Sequence, residues 1–276
     1  MHLWEIFVGI IQGLVEGLTE FAPVSSTGHM ILVDDYLLKT KELFSKDVAN
    51  TFKVVVQLGS ILAVLIVFKD RFLNLLGLKK ETAVQEETGN RLKLTQVIVG
   101  LLPAVVLGFI FEDYIDEYLF SANTVLIGLV LGAVLMLIAD WFRPSRPKAQ
   151  TVDQITYKQA LTIGLFQCFS LWPGFSRSGS TISGGVLLGL SHRAASDFTF
   201  IMALPIMLGA SGLTLIKNWQ FFSLDVLPFF IAGFVSAFVF ALLSIRFFLK
   251  LINRIKLVPF AIYRIVLALI LYLFFV

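Results

Sequence analysis

The chain has 276 residues, of which 57% are hydrophobic and only 15% charged, and its mean hydropathy is +0.86. Soluble domains carry roughly 25% charged residues, and a single soluble core stops growing at about this length, so a soluble globular protein is excluded and lipid must cover the apolar excess. The net charge of +3, the three His and the lone Cys168 exclude an intrachain disulfide and give no basic surface suited to nucleic acid; the basic residues fall between apolar runs instead.

The start, Met1-His2-Leu3-Trp4-Glu5, has no basic n-region and no small-residue cleavage site after it, so no removable signal peptide is expected. Residues 3–33 are apolar but carry Glu16, Glu20, Pro23, Ser25, Ser26, Thr27 and His29 in their middle. Backbone broken at membrane depth is tolerated only inside protein or beside a water-filled cavity, which predicts a re-entrant helix–loop–helix hairpin. Three apolar runs follow, roughly Thr51–Phe68, Thr95–Phe111 and Ala122–Phe142. A bilayer core needs about 20 apolar residues per helix, so each is a predicted crossing. Residues 159–190 are interrupted again, by Gln167, Pro173, Gly174, Ser176, Arg177, Ser178, Ser180 and Thr181, and predict a second hairpin. Phe198–Ile216, Pro228–Phe248 and Val258–Val276 complete six crossings. The runs are too long and continuous for barrel strands. The expected fold is therefore an all-α polytopic membrane protein with six transmembrane helices and two re-entrant hairpins.

Loop charge orients it. Lys69–Lys93 holds six basic residues (Lys69, Arg71, Lys79, Lys80, Arg91, Lys93), and Arg143–Lys158 and Arg246–Lys256 hold four each. Glu112–Phe120 holds Glu112, Asp113, Asp116 and Glu117 and no basic residue. The positive-inside rule puts the basic loops in the cytoplasm and the acidic one outside. The first hairpin then enters from outside and the second from inside. An offset of 151 pairs Gly13-Leu14-Val15-Glu16 with Gly164-Leu165-Phe166-Gln167, Thr19 with Ser170, Phe21 with Trp172, Ser25 with Ser176 and Gly28 with Gly179. One membrane domain built from two inverted repeats, about 1–145 and 155–276, is the expectation, with the two polar interruptions meeting inside the bilayer.

Glu16 and Glu20 stand one helical turn apart and share a face. Among apolar neighbours two unpaired carboxylates are costly, so they call for a metal, a base role or a cationic partner. In Pro23-Val24-Ser25-Ser26-Thr27-Gly28-His29, hydroxyls stand beside an imidazole three residues past Ser26, close enough on a helical turn to move a hydroxyl proton or protonate a leaving oxygen. Pro173-Gly174-Phe175-Ser176-Arg177-Ser178-Gly179-Ser180-Thr181 has the parts of an anion cradle: helix N-terminal amides, hydroxyls and one guanidinium. It lacks the Gly-Lys-Ser/Thr ending of a Walker A loop. Gln57, Asn123 and Arg264 are lesser candidates. Arg264 lies about six residues inside the last apolar run, where a functional role and snorkelling to the interface compete.

The stretch Glu16-Gly-Leu-Thr-Glu20-Phe-Ala-Pro23-Val-Ser25-Ser26-Thr27-Gly28-His29 resembles the glutamate-rich signature of the undecaprenyl-diphosphate phosphatase family, also called the bacitracin-resistance protein family. Pro173-Gly-Phe-Ser176-Arg177-Ser178-Gly-Ser-Thr181 is similar to its second signature, and the similarity extends to the ending Pro259-Phe-Ala-Ile-Tyr-Arg264. The resemblance implies a multi-pass enzyme of the bacterial plasma (inner) membrane that removes one phosphate from undecaprenyl diphosphate. That step regenerates the carrier lipid for peptidoglycan synthesis and other cell-wall biogenesis, hence cell shape, and lowers the bacitracin target. It also implies catalytic Glu16, Glu20, Ser26, His29 and Arg177, with Ser25, Thr27, Ser176, Ser178 and Thr181 on the substrate. A divalent cation, Mg²⁺ or Ca²⁺, on Glu16 and Glu20 and a site opening to the outer face are further implications. Expected partners are the polyprenyl diphosphate and membrane lipids, with no nucleic acid; homodimerisation is left open. The rival is a lipid or solute transporter, since inverted repeats with polar breaks serve alternating access as well. A purely structural scaffold would leave these costly polar groups without a use.

Overall fold

The computed structural model describes residues 3–78, 91–119 and 121–275. Met1, His2, Lys79, Lys80, Phe120 and Val276, on which parts of the start, loop-charge and last-crossing readings rest, lie outside the described residues, as does the side chain of Asp116. Among the described residues all regular structure is helical: α1 Leu3–Thr19, α2 Ser26–Leu32, α3 Thr40–Leu43, α4 Lys46–Val67, α5 Lys69–Leu75, α6 Leu94–Tyr118, α7 Ala122–Phe142, α8 Tyr157–Gln167, α9 Arg177–Leu187, α10 His192–Lys217, α11 Leu227–Ile255 and α12 Val258–Phe275. A π-helical turn, Val33–Leu38, follows α2, and 3₁₀ turns fill other junctions.

Among the described residues five helices carry windows long and apolar enough to cross a membrane, within α4, α6, α7, α10 and α11, while the apolar stretch of α12 is shorter. Along α6 the side chains of Ile98, Leu102, Val106, Phe109 and Ile110 are exposed, a surface that water would not tolerate and lipid covers. The chain is thus an all-α polytopic membrane protein. Helix ends overrun the apolar runs: α4 begins at Lys46, α6 continues through the acidic segment to Tyr118, and α11 carries Arg246, Lys250 and Arg254 within its last turns. Charged residues are good helix formers, so nothing stops α11 before Lys256, whose φ of 60° ends it. Both polar interruptions fold as helix, break, helix: α1 and α2 flank the first, α8 and α9 the second.

The chain forms two compact units, residues 1–22, 26–67 and 203–248 in one, and 23–25, 68–202 and 249–276 in the other. In the first, α1 lies on α11 through Gly9, Gly13 and Gly17, where a Cβ would collide with Phe229, the Gly233 carbonyl and the Ala237 carbonyl. Small residues at a spacing of four allow this backbone approach. Ser236 Oγ donates to the Ile10 carbonyl (2.7 Å) and Ser244 Oγ to that of Leu18 (2.9 Å). Phe52 and Phe229 stack at 3.9 Å in the core beside Val8 and Val56, and Phe52 and Val56 cover Gly233.

In the second unit α8 lies on α6, with Gly164 against the Gly100 carbonyl, and Phe198 and Met202 cover Gly100. Asp140, at the end of α7, accepts from His192 Nε2 (2.6 Å) and from the backbone amides of Leu257 (2.8 Å) and Val258 (3.0 Å). One carboxylate therefore ties together the last turn of α7 and the first turns of α10 and α12, using amides that a helix start leaves without partners.

Candidate active site

The first motif is built on the end of α1 and the start of α2. Glu16 is buried and the Glu20 amide donates to its carbonyl at 2.9 Å, so the helical path continues one turn and the two carboxylates share a face. Pro23, without an N–H, sits in the break. Ser25 is buried with φ of 71°, a left-handed conformation that costs a non-glycine residue about 1–3 kcal/mol. Ser26 then opens α2, half-buried, and its hydroxyl donates to Glu20 Oε2 at 2.5 Å. His29 follows one turn later, half-buried, and Thr27 is exposed. The group bonded to Ser26 is thus Glu20 rather than the imidazole. Hydrogen bonds from a hydroxyl to a carboxylate are stronger than those between neutral groups.

Beyond α2 the chain is tied down by Asp34, buried at 1% exposure, which accepts from Gln12 Nε2 (2.9 Å) and the Thr40 amide (3.0 Å) and pairs with Lys53 Nζ at 3.3 Å. Burial alone would push the Asp34 carboxyl up, but the hydrogen bonds from Thr40 and the Lys53 ammonium hold it below the usual carboxylate range.

The second motif has the same plan. Gly174, at φ 90°, packs so closely on the Val125 backbone that a Cβ has no room, and Trp172 Nε1 fixes the turn by donating to the Thr124 carbonyl (2.8 Å). Ser176 adopts φ 77° and ψ 118° and caps α9, its Oγ accepting from the Gly179 amide at 3.1 Å; this is ordinary N-cap chemistry. Arg177 opens α9, half-buried, with Nη1 donating to the Thr199 carbonyl at 3.4 Å. The hydroxyls behind it are engaged inside the protein. Thr181 Oγ1 donates to the Arg177 carbonyl (2.8 Å) and accepts from Thr199 Oγ1 (2.8 Å); Ser178 Oγ stands 3.2 Å from Ser176 Oγ. Thr181 is fully buried and Ser178 1% exposed. Of this motif's named residues, Arg177 reaches the most open position, while Thr181 supports it from behind.

The lesser candidates separate. Gln57 Oε1 accepts from Ser211 Oγ at 3.1 Å and Asn123 is exposed. Arg264 is fully buried, which rules out snorkelling. Two features escape sequence reasoning: the positive φ of Ser25 and Ser176, which leaves no trace in composition, and the Gly9-Gly13-Gly17 stripe, whose spacing of four was the available signal. Among the described residues no group of three or more His, Cys, Asp and Glu forms a metal cluster. Two carboxylates one turn apart still suit a hard cation, since Mg²⁺ is usually held by one or two carboxylates together with substrate phosphates and water.

The profile of the bacitracin resistance protein BacA family matches residues 9–270. The chain belongs to that family. It is 72% identical over 273 residues to a protein of Geobacillus sp. (strain WCH70), covering 99% of each chain, and 67% identical to one of Bacillus subtilis (strain 168), again covering 99% of each. A protein of Exiguobacterium sibiricum is 61% identical, with 97% of each chain covered. All three bear the name undecaprenyl-diphosphatase.

Proposed function

We propose that the chain is a membrane phosphatase that hydrolyses undecaprenyl diphosphate to undecaprenyl phosphate and inorganic phosphate, the activity its relatives' name states. The observation that carries this reading is the hydrogen bond from Ser26 to Glu20. A hydroxyl bonded to a carboxylate is a nucleophile beside its base, an arrangement that a transporter of the same fold does not require.

In this reading Ser26 Oγ attacks the terminal phosphorus and its proton passes to Glu20. The bond between that phosphorus and the bridging oxygen breaks, and undecaprenyl phosphate leaves with the bridging oxygen. His29 serves the leaving oxygen as proton donor. Water then attacks the seryl phosphate, releasing inorganic phosphate and restoring Ser26. Arg177, with the Ser176 turn behind it, holds the charge that spreads over the phosphoryl oxygens. Ser25 fixes the direction in which Ser26 presents its hydroxyl, and Thr27 and Ser178 contribute polar contacts to the diphosphate. Glu16, with Glu20, would hold Mg²⁺ or Ca²⁺, which neutralises phosphate charge when bound.

The inverted repeat belongs to the same proposal, with six crossings, two re-entrant hairpins, a plasma-membrane location and a site opening outward. Four pairs of features support it. Gly13 meets the Gly233 carbonyl as Gly164 meets that of Gly100. Phe52 and Val56 cover Gly233 as Phe198 and Met202 cover Gly100. Ser25 and Ser176 share a positive φ, and Ser26 and Arg177 each open the next helix. Labelling of a cysteine near Ser26 by a membrane-impermeant reagent in intact cells tests the outward opening; protection there with reaction only in inverted vesicles would refute it.

The decisive assay is phosphate release from a prenyl diphosphate by the purified protein, with added Mg²⁺ or Ca²⁺, beside Arg177→Ala. Release by the parent and its loss in the variant are expected. A folded parent that releases nothing would turn attention to transport.

A further inference from the structure

Arg264 sits on the apolar last helix, α12, at 0% exposure. A guanidinium stays protonated in proteins, and a charge buried away from an opposite charge is costly. Yet its donors reach no carboxylate among the described residues. Nη2 donates to the carbonyls of Gly174 (2.8 Å) and Gly128 (3.2 Å), Nη1 contacts Met136 Sδ at 3.6 Å, and Nε has no partner. Carbonyl dipoles and a sulfur orient the group without neutralising it.

The place of this charge is specific. Gly174 lies two residues before Ser176, in the turn that holds Ser176 at φ 77°. On the other side, a Cβ at Gly179 would stand 3.1 Å from Arg264 Nη1 and 3.3 Å from Ser176 Oγ. The guanidinium therefore lies against the first turn of α9, at the end where the helix dipole is positive and where Arg177 starts. Gly132, where any Cβ would strike both the Phe175 carbonyl and the guanidinium, leaves the space that Arg264 fills.

We propose that Arg264 is a positioning residue and the second fixed cation of the diphosphate site, acting from behind the α9 N-terminus without touching substrate. Its Nη2 bridges the Gly174 and Gly128 carbonyls and so clamps the strained turn to α7. Its uncompensated charge adds to that of Arg177 and of the α9 amides, and the anion that balances it is the substrate's diphosphate. In low dielectric a fixed cation near the phosphate acts strongly even out of contact. The inference rests on the reading of Ser176 and Arg177 as the anion site.

The test measures inhibition by inorganic phosphate, together with kcat and KM, for the full-length parent, Arg264→Lys, Arg264→Gln and Arg177→Ala in detergent, with size-exclusion profiles confirming fold. Arg264→Gln is expected to weaken phosphate inhibition about tenfold or more, the equivalent of roughly 1.4 kcal/mol. Arg264→Lys keeps the charge but loses the two-carbonyl bridge, so its phosphate inhibition is expected within about threefold of the parent while kcat falls. A packing role alone would shift thermal stability and leave phosphate inhibition unchanged in both. Parental inhibition in folded Arg264→Gln, or equal loss in both Arg264 variants, overturns the proposal. If Arg264→Gln aggregates, Arg264→Lys decides: weakening beyond tenfold overturns it, retention with a lower kcat supports it. Parental inhibition in Arg177→Ala would instead overturn the anion-site reading itself. That is distinguishable from failure of Arg264 alone, in which Arg177→Ala remains impaired.

Discussion

The two polar breaks share one backbone plan and carry opposite chemistry. In each, a serine with positive φ, 71° at Ser25 and 77° at Ser176, is followed by the first residue of a short helix. In the first that residue is Ser26, bonded to a carboxylate; in the second it is Arg177, backed by a buried guanidinium. The preceding helix carries Glu16 in its last turn in the first and ends on Gln167, the residue paired with Glu16 by the offset of 151, in the second; the buried Gln167 amide has no hydrogen-bond partner among the described residues. Similar backbone turns thus present a hydroxyl beside carboxylates at one break and a guanidinium at the other. In the reading proposed above, the difference between these side chains divides the work of phosphoryl transfer between nucleophile and anion site.

That contrast can be broken at several points. The largest effect is expected from Arg177→Ala, which should lower kcat by about 10³–10⁵, as losing an arginine that stabilises the transition-state charge of phosphoryl transfer does. Arg177→Lys should recover only part of it, because a point charge does not replace the planar fork. Ser26→Ala and Glu20→Gln should each lose about 10²–10⁴ in kcat, and should not add when combined if they act as one unit. Near-full turnover by Ser26→Ala would shift the nucleophile to water. Gly13→Ala and Gly164→Ala should each destabilise by about 1–3 kcal/mol or more through overpacking; matched losses in thermal unfolding sharpen the repeat, and a silent member breaks it. Ser176→Gly relieves positive φ and keeps most of the cap, so it should be about 1–2 kcal/mol more stable than Ser176→Ala. The smallest effect concerns Asp34. Its carboxyl is held below its ordinary value by Thr40 and Lys53 against the opposing effect of burial. Its stabilisation is therefore present above the unfolded value of about 3.9 and lost as pH falls through the lower folded value. Acidification should lower the melting temperature less in Asp34→Asn than in the parent.

How far such features can be read in a sequence follows from their physical origin. The apolar centres of α4, α6, α7, α10 and α11 were legible because lipid selects composition over a whole span. Their ends were not: Lys46 and Arg254 are as helical as the residues between, since charge marks the membrane boundary and not the helix boundary. Glu16, Glu20, Ser26 and Arg177 stood out because polar groups in an apolar run are expensive. The strain at Ser25 and Ser176 was invisible, for a serine carries no mark of its φ. The partner of Ser26 depended on the path of the break after Glu20, and the side chain expected there was His29. Arg264 was undecidable between a buried and a snorkelling position until the carbonyls of Gly128 and Gly174 were seen around it.

The clamp on Asp140 has a consequence for biogenesis. The amides of Leu257 and Val258 at the head of α12 stand 117 and 118 residues after Asp140, and Arg264 stands 90 residues after Gly174, so each arrives late in synthesis relative to the group it holds. Until α12 inserts, Asp140 lacks two of its donors and the Gly174 turn lacks its clamp. A nascent chain would therefore carry both breaks before the turn at Gly174 is held. The Gly174 turn is thus set only after α12 has inserted, later than the helices that surround it.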